Sequence, residues 1–275
     1  MYEQHWGLNR HPFDDHAAVE FFCRTPSCQA ALLKLRYVID NRLEAAFLAG
    51  ETGCGKTYLM RILAAELKEQ AGPVISMRLP RMTAPEVLAW LTVELGADEA
   101  LLGRGPDSLD LVIHELERAL VQQTKNGRHP LLIVEDAHLI EDQGVFQALL
   151  FLLNLQEPGR IEFSLFVLGT VSLGARLRRM PQLDQRIPVR SLLQPLTVDE
   201  TRDYVAHRLR TAGATNAIFE PEAVSVLHDL ANGVPRQINR LGDLSLLVGY
   251  AEGMERVTPQ MVEAVAEELV APLPV

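Results

Sequence analysis

Cysteine is scarce in this chain. Cys23, Cys28 and Cys54 are the three among 275 residues. An odd, low count argues against a disulfide framework and fits a reducing compartment. Cys23 and Cys28 are close, but no second Cys/His pair completes a zinc site. Long apolar runs are missing too. The longest, Ala148–Leu155, falls well short of the roughly 18 residues a membrane-spanning helix needs. The opening MYEQHWGLNRHPF is polar and has no signal-peptide core. Direct membrane insertion is therefore not expected, and a cytoplasmic location is. Positive charge is in deficit: 26 Lys and Arg against 36 Asp and Glu give a net charge of -10. Overall attraction to nucleic acid or anionic lipid is then weak, so DNA binding would need a local basic patch. Aromatic residues make up 6% of the chain, without the interleaving that stacks single-stranded bases. Trp6 and Trp90 read as packing residues.

What is present suits a globular chain, with 48% hydrophobic and 23% charged residues. Short apolar runs at Ala45–Ala49, Val74–Leu79, Leu131–Glu135, Phe163–Leu168 and Ile187–Leu193 alternate with helical patterns. Each run is bounded by Gly, Pro or a charge. Near-continuous apolar strands between helices imply a parallel sheet covered on both faces. Helical stretches are expected over Thr57–Gln70, from Asp107/Ser108 to near Asn126, and over Gln143–Gln156. After Pro195 the strands stop. Thr197 and Glu200 form a capping box. From there the pattern reads as four helices, over about 198–212, 221–231, 235–251 and 259–269. The expected organisation is an α/β core over 1–195, with an N-terminal segment 1–44, followed by a helical lid over 196–275.

Gly50–Thr57 reads GETGCGKT, which fits G-x-x-x-x-G-K-[ST] between a strand and a helix. Gly50, Gly53 and Gly55 let backbone N–H groups wrap a β-phosphate. Glu51, Thr52, Cys54 and Tyr58 complete the expected nucleotide-binding set. The Lys56 ammonium is placed to neutralise β/γ oxygens, and the Thr57 hydroxyl to hold Mg²⁺. ATP and Mg²⁺ are the implied cofactors. A second motif agrees: Leu131–Val134 is followed by the carboxylates Glu135 and Asp136. By position, Glu135 is a Mg²⁺ ligand and Asp136 the base that polarises the attacking water. Asp falls about 1.5 Å shorter than Glu. A 1 Å misplacement can cost about a hundredfold in rate. Slow hydrolysis is expected.

With both motifs in place, the chain resembles AAA+ ATPases of the general secretion pathway A (ExeA-like) family, related to TniB/TnsC-type transposition ATPases. The opening HWGLNRHPFDD is similar to that family's start. VEDAHLI resembles its IDEAQNL stretch with the two acids exchanged. FVLGTVSL resembles the strand ending in sensor 1, which makes Thr170 the sensor candidate. LDQRI resembles L-x-Q-R-I, so Arg186 is the candidate arginine finger acting across a subunit boundary. GVPRQIN resembles G-x-P-R-x-I-N, so Arg236 is the candidate sensor 2. The resemblance implies an ASCE-type P-loop NTPase with a five-stranded parallel sheet, an α-helical lid and a homo-oligomeric working state. The expected catalytic set is then Lys56, Glu135, Asp136, Thr170, Arg186 and Arg236.

Three roles stay open. One is an ATP-driven assembly switch for a secretion or pilus-type envelope machine, brought to the inner membrane by a protein of that machine. Secretion relatives often add a membrane span and a peptidoglycan-binding domain; residues 1–275 contain neither, so direct cell-wall binding is not expected of them. The second is an ATP-dependent regulator of transposition on duplex DNA, with Arg176, Arg178, Arg179, Arg186 and Arg190 as its basic stretch. The third is a nucleotide-dependent adaptor that scarcely hydrolyses ATP.

Overall fold

The structure, a computed structural model, describes residues 1–14, 18–67, 72–78, 82–101 and 109–270. The elements in chain order are α1 (Pro26–Asp40), β1 (Ala45–Gly50), α2 (Lys56–Glu66), β2 (Val74–Arg78), α3 (Ala84–Glu94), α4 (Leu109–Lys125), β3 (Leu131–Glu135) and α5 (Gln143–Asn154). They continue with β4 (Ser164–Gly169), α6 (Val171–Arg178), α7 (Pro181–Gln185), β5 (Val189–Leu193), α8 (Val198–Thr211), α9 (Pro221–Ala231), α10 (Pro235–Ala251) and α11 (Pro259–Val270). The expected start of the long helix at Asp107/Ser108, and the strand end at Leu79, lie outside the described residues.

Two compact units emerge. The α/β unit holds Ser27–Gly50 and Lys56–Leu193. Its five strands are all parallel, in the order β2-β3-β4-β1-β5. Every residue of β1, β3 and β4 is buried, as the middle of a doubly covered sheet requires. Edge strand β2 alternates, with Ile75 and Met77 buried and Val74, Ser76 and Arg78 exposed. Strand β5 begins at Val189, two residues later than its apolar pattern suggests. The short helix α7 runs to Gln185 with Arg186 as its C-cap, and Pro188 separates it from the strand.

The helical unit holds α8 to α11, the loop Glu51–Gly55 and the N-terminal segment Met1–Pro26. Segment 1–44 is expected with the core, yet the apolar side chains described within residues 1–26 pack among these helices. Tyr2, Trp6, Leu8, Phe13 and Phe21 are buried in one cluster with Leu209, Leu227, Leu246 and Val262. The Trp6 indole N–H donates to the Leu246 carbonyl at 2.9 Å. A Cβ at Gly249 would come within 2.8 Å of Trp6 Cζ2, so this ring needs a glycine on α10. Arg208, 2% exposed, donates to the Pro12 and Asp14 carbonyls at 2.5 and 2.6 Å. Such contacts satisfy backbone that would otherwise be buried unpaired. Trp6→Ala is expected to cost about 3–5 kcal/mol, the range for emptying an aromatic site. Chemical denaturation followed by far-UV circular dichroism would check it.

In the α/β unit, His129 is 5% exposed and sits under the start of β3. Ser164 Oγ donates to Leu43 O (2.8 Å), so it accepts from His129 Nε2 (2.9 Å). Nδ1 is buried with no partner. Burial, aided by the Arg42 cation, holds the ring's pKa below its ordinary value. The unfolded chain therefore takes up this proton first. Its contribution to stability is complete above the unfolded value, about 6.5. It is lost as pH falls below that, by up to about 1.4 kcal/mol per pH unit. His129→Gln should flatten that part of the slope, read from denaturation midpoints at pH 7.5 and 5.5.

Candidate nucleotide site

Ligands of open α/β sheets sit outside the carboxyl ends of the strands. The ends of β3, β4 and β1 lie side by side here, carrying Glu135, Thr170 and Gly50. After Gly50 the loop turns sharply. Cys54 N–H donates to Glu51 O at 3.2 Å, and Gly53 and Gly55 take φ of +91° and +90°, which side-chain-bearing residues rarely adopt. A Cβ on Gly53 would also lie 2.9 Å from Val234 and 3.0 Å from Arg236. Within the same unit, Arg236 N–H donates to Gly53 O at 3.3 Å. Glu51 and Thr52 are exposed, Cys54 is buried, and Tyr58 is partly buried with Arg61 over its ring.

Lys56, 7% exposed, donates from Nζ to Gly50 O at 2.9 Å. Thr57 Oγ1 donates to Glu135 Oε2 at 2.8 Å. The longer Glu135 side chain therefore meets the loop threonine. A hydroxyl and a carboxylate this close are hard oxygen donors of the kind Mg²⁺ takes, so this corner fits the ion. Two further contacts on Glu135 were not foreseen. Ser76 Oγ donates to its Oε1 at 2.5 Å, and Arg78 Nη2 lies 3.4 Å from its Oε2. The signal was in the alternation of β2: Ser76 and Arg78 share one face, and Arg78 is in register with Glu135. The corner opens into a cleft of about 520 Å³ between α2, β2 and α3, with Met60, Arg61 and Trp90 in its walls.

Asp136 leaves the strand in the left-handed region, φ +46°, and is exposed. Asp tolerates that conformation better than most residues. It ends the alternation at Glu135 and heads the short turn Ala137–Leu139. Thr170 is the N-cap of α6, and its hydroxyl shares a 2.8 Å hydrogen bond with Ser172.

Arg186 lies elsewhere. It pairs with Glu44 at 2.6 Å, one residue ahead of β1, at the opposite end of the strands. Six residue steps along β1 separate Glu44 from Gly50, about 20 Å. An arginine side chain cannot span that distance. Of the other basic residues, Arg176 is engaged by the Ile140 carbonyl and the Phe146 ring, and Arg190 by Asp184. Arg178 and Arg179 remain exposed.

Comparison with known proteins agrees with the fold. Residues 42–177 match the AAA domain family. That stretch, nearly all of it in the α/β unit, is similar to an AAA domain, and the P-loop fold agrees with it. Along 98% of its length the chain is similar to general secretion pathway protein A of Aeromonas hydrophila, at 29% identity. It spans about half of that relative, 48%. Among solved structures, Cdc6p of Pyrobaculum aerophilum matches with a TM-score of 0.76 at 17% identity, over 96% of this chain and 72% of that one. The ORC2 protein of Aeropyrum pernix, solved as ADPNP–ADP complexes, matches with a TM-score of 0.72 at 14% identity, over 94% and 72%. At such identities the likeness is one of fold. Among the described residues, no helix is long and apolar enough to cross a membrane.

Proposed function

We propose that this protein is an AAA+ ATPase, Mg²⁺-dependent and slow in turnover, that works as a homo-oligomeric switch. The proposed setting is assembly of a secretion or pilus-type envelope machine, and the relative's name, general secretion pathway protein A, supports it. One observation carries the shared-site reading. Lys56, Thr57 and Glu135 gather at the carboxyl ends of the strands, while Arg186 sits about 20 Å away at their amino ends. A finger so placed can serve only the nucleotide of another copy.

The chemistry assigned to the residues is simple. Backbone N–H groups of Gly53–Thr57 and the Lys56 ammonium hold the β/γ oxygens. Thr57 and Glu135 would hold Mg²⁺, which supplies positive charge beside the leaving group. Asp136 orients a water and takes its proton as the water oxygen bonds to the γ-phosphorus and the bond to the β-bridging oxygen breaks. Arg186 of a neighbouring copy offsets the charge that develops on the transferred group. Thr170 and Arg236 are assigned as the two nucleotide sensors, Arg236 on the strength of its backbone contact with the loop at Gly53.

Steady-state ATP hydrolysis measured against protein concentration, at about 0.15 M salt, tests this. The expected rate per subunit climbs with protein concentration and stays below about 10 s⁻¹, the median for enzymes. A flat rate per subunit would remove the shared site, and faster turnover would remove the slow switch. No hydrolysis, with ATP still bound, would favour the adaptor. Stimulation by duplex DNA would favour the transposition-type regulator; internal pairing of Arg176, Arg186 and Arg190 weighs against it.

A further inference from the structure

The cation that the shared site needs from a neighbour is already engaged inside its own subunit. Arg186 Nη1 donates to Glu44 Oε1 at 2.6 Å, and Nη2 donates to Asn154 Oδ1 at 3.0 Å. Three separate elements meet there: the residue ahead of β1, the last residue of α5 and the C-cap of α7. The Arg186 and Glu44 side chains are 36% and 39% exposed. The pair is therefore open to an incoming surface. Guanidinium grips phosphate through two parallel N–H groups. Here both terminal nitrogens are turned toward acceptors of the same subunit. The Glu44 carboxylate also adds negative charge where a neighbour's polyphosphate would arrive.

We infer that Glu44, helped by Asn154, is an intramolecular restraint on Arg186 that sets how much neighbouring ATP-bound subunit is needed before the shared site forms. This rests on the shared-site reading proposed above. In the free subunit the finger is held by Glu44. In the assembly a γ-phosphate takes it over, and Glu44 returns to water. The exchange is one anion for another on the same cation, so the restraint is weak and reversible. Exposed ion pairs contribute a few tenths to about 1 kcal/mol, which corresponds to about a two- to fivefold shift in an equilibrium.

Glu44→Gln keeps the side chain's shape and leaves the backbone bond from Leu165 N–H to Glu44 O (2.9 Å) in place. Hydrolysis per subunit is measured against protein concentration for wild type, Glu44→Gln, Arg186→Ala and the double variant. Binding of a fluorescent ATP analogue and thermal unfolding are followed in parallel. The expected result is that Glu44→Gln reaches half-maximal rate at about two- to fivefold lower protein concentration. The plateau and nucleotide affinity stay unchanged, and the shift vanishes in the Arg186→Ala background. An unmoved or raised midpoint overturns the restraint. So does a lowered plateau, which would make Glu44 a support for the finger, and so does a shift that persists without Arg186. A wild-type rate per subunit independent of protein concentration overturns the shared site itself, and the restraint falls with it. The wild-type curve thus judges the first reading and the Glu44 variant the second.

Discussion

Lys56→Ala is expected to weaken ATP binding by about 10- to 150-fold, the range for a lost hydrogen bond to a charged group, and to bring hydrolysis to background. Three features put the effect there. Lys56 is 7% exposed at the first position of α2. Its ammonium donates to the Gly50 carbonyl, an acceptor it can leave for a phosphate. Low solvent access makes its charge count for more than that of a surface lysine. The fold should survive, because Gly50 belongs to a strand paired on both sides. Equilibrium titration with a fluorescent ATP analogue, beside a thermal melt, is the check. Wild-type affinity in a folded Lys56→Ala protein would contradict the assignment of the loop.

Arg186→Ala should behave differently. ATP binding to the single subunit is expected within about twofold of wild type, because this residue sits about 20 Å from its own loop. Turnover is expected to fall by about 10³-fold, the lower end of what arginine fingers contribute. The lost pair with Glu44 should cost at most about 1 kcal/mol of stability, since both side chains are more than a third exposed. Mixing helps to separate finger from structure. Arg186→Ala subunits added to Lys56→Ala subunits should restore some hydrolysis, because one supplies a loop and the other a finger. Unchanged turnover in Arg186→Ala would remove it as a finger.

The α/β sheet and the four C-terminal helices were legible because their signals are local. Apolar runs bounded by Gly, Pro or charge marked the strands. The Thr197–Glu200 capping box is formed, with Thr197 N–H donating to Glu200 at 2.8 Å and Glu200 N–H to Thr197 at 3.2 Å. The motif residues at Gly50–Thr57 and Glu135 were legible for the same reason. What escaped depends on partners distant in sequence. Nothing near Trp6 or Phe13 announces that α10 and its neighbours cover them. Ser76 and Arg78 gain their meaning only when β2 is laid beside β3. Glu44 carries no sequence signal of its role, because Asn154 and Arg186 reach it only through α5 and α7. The apolar run overshoots the start of β5 because Ile187 is apolar and buried yet lies in the link between α7 and the strand.

The burial of Tyr2, Trp6, Leu8, Phe13 and Phe21 among α8 to α11 has a consequence for how the chain comes off the ribosome. The helical unit is discontinuous: residues 1–26 are made before the core, and α8 to α11 after it. At about 5–20 residues per second, the ribosome takes on the order of ten to thirty seconds to make the intervening core. During that time five large apolar side chains have no partner. The core can fold as a unit while they wait. A chaperone that holds nascent residues 1–26 should therefore raise the yield of folded protein, and placing those residues after α11 by permutation should remove that dependence.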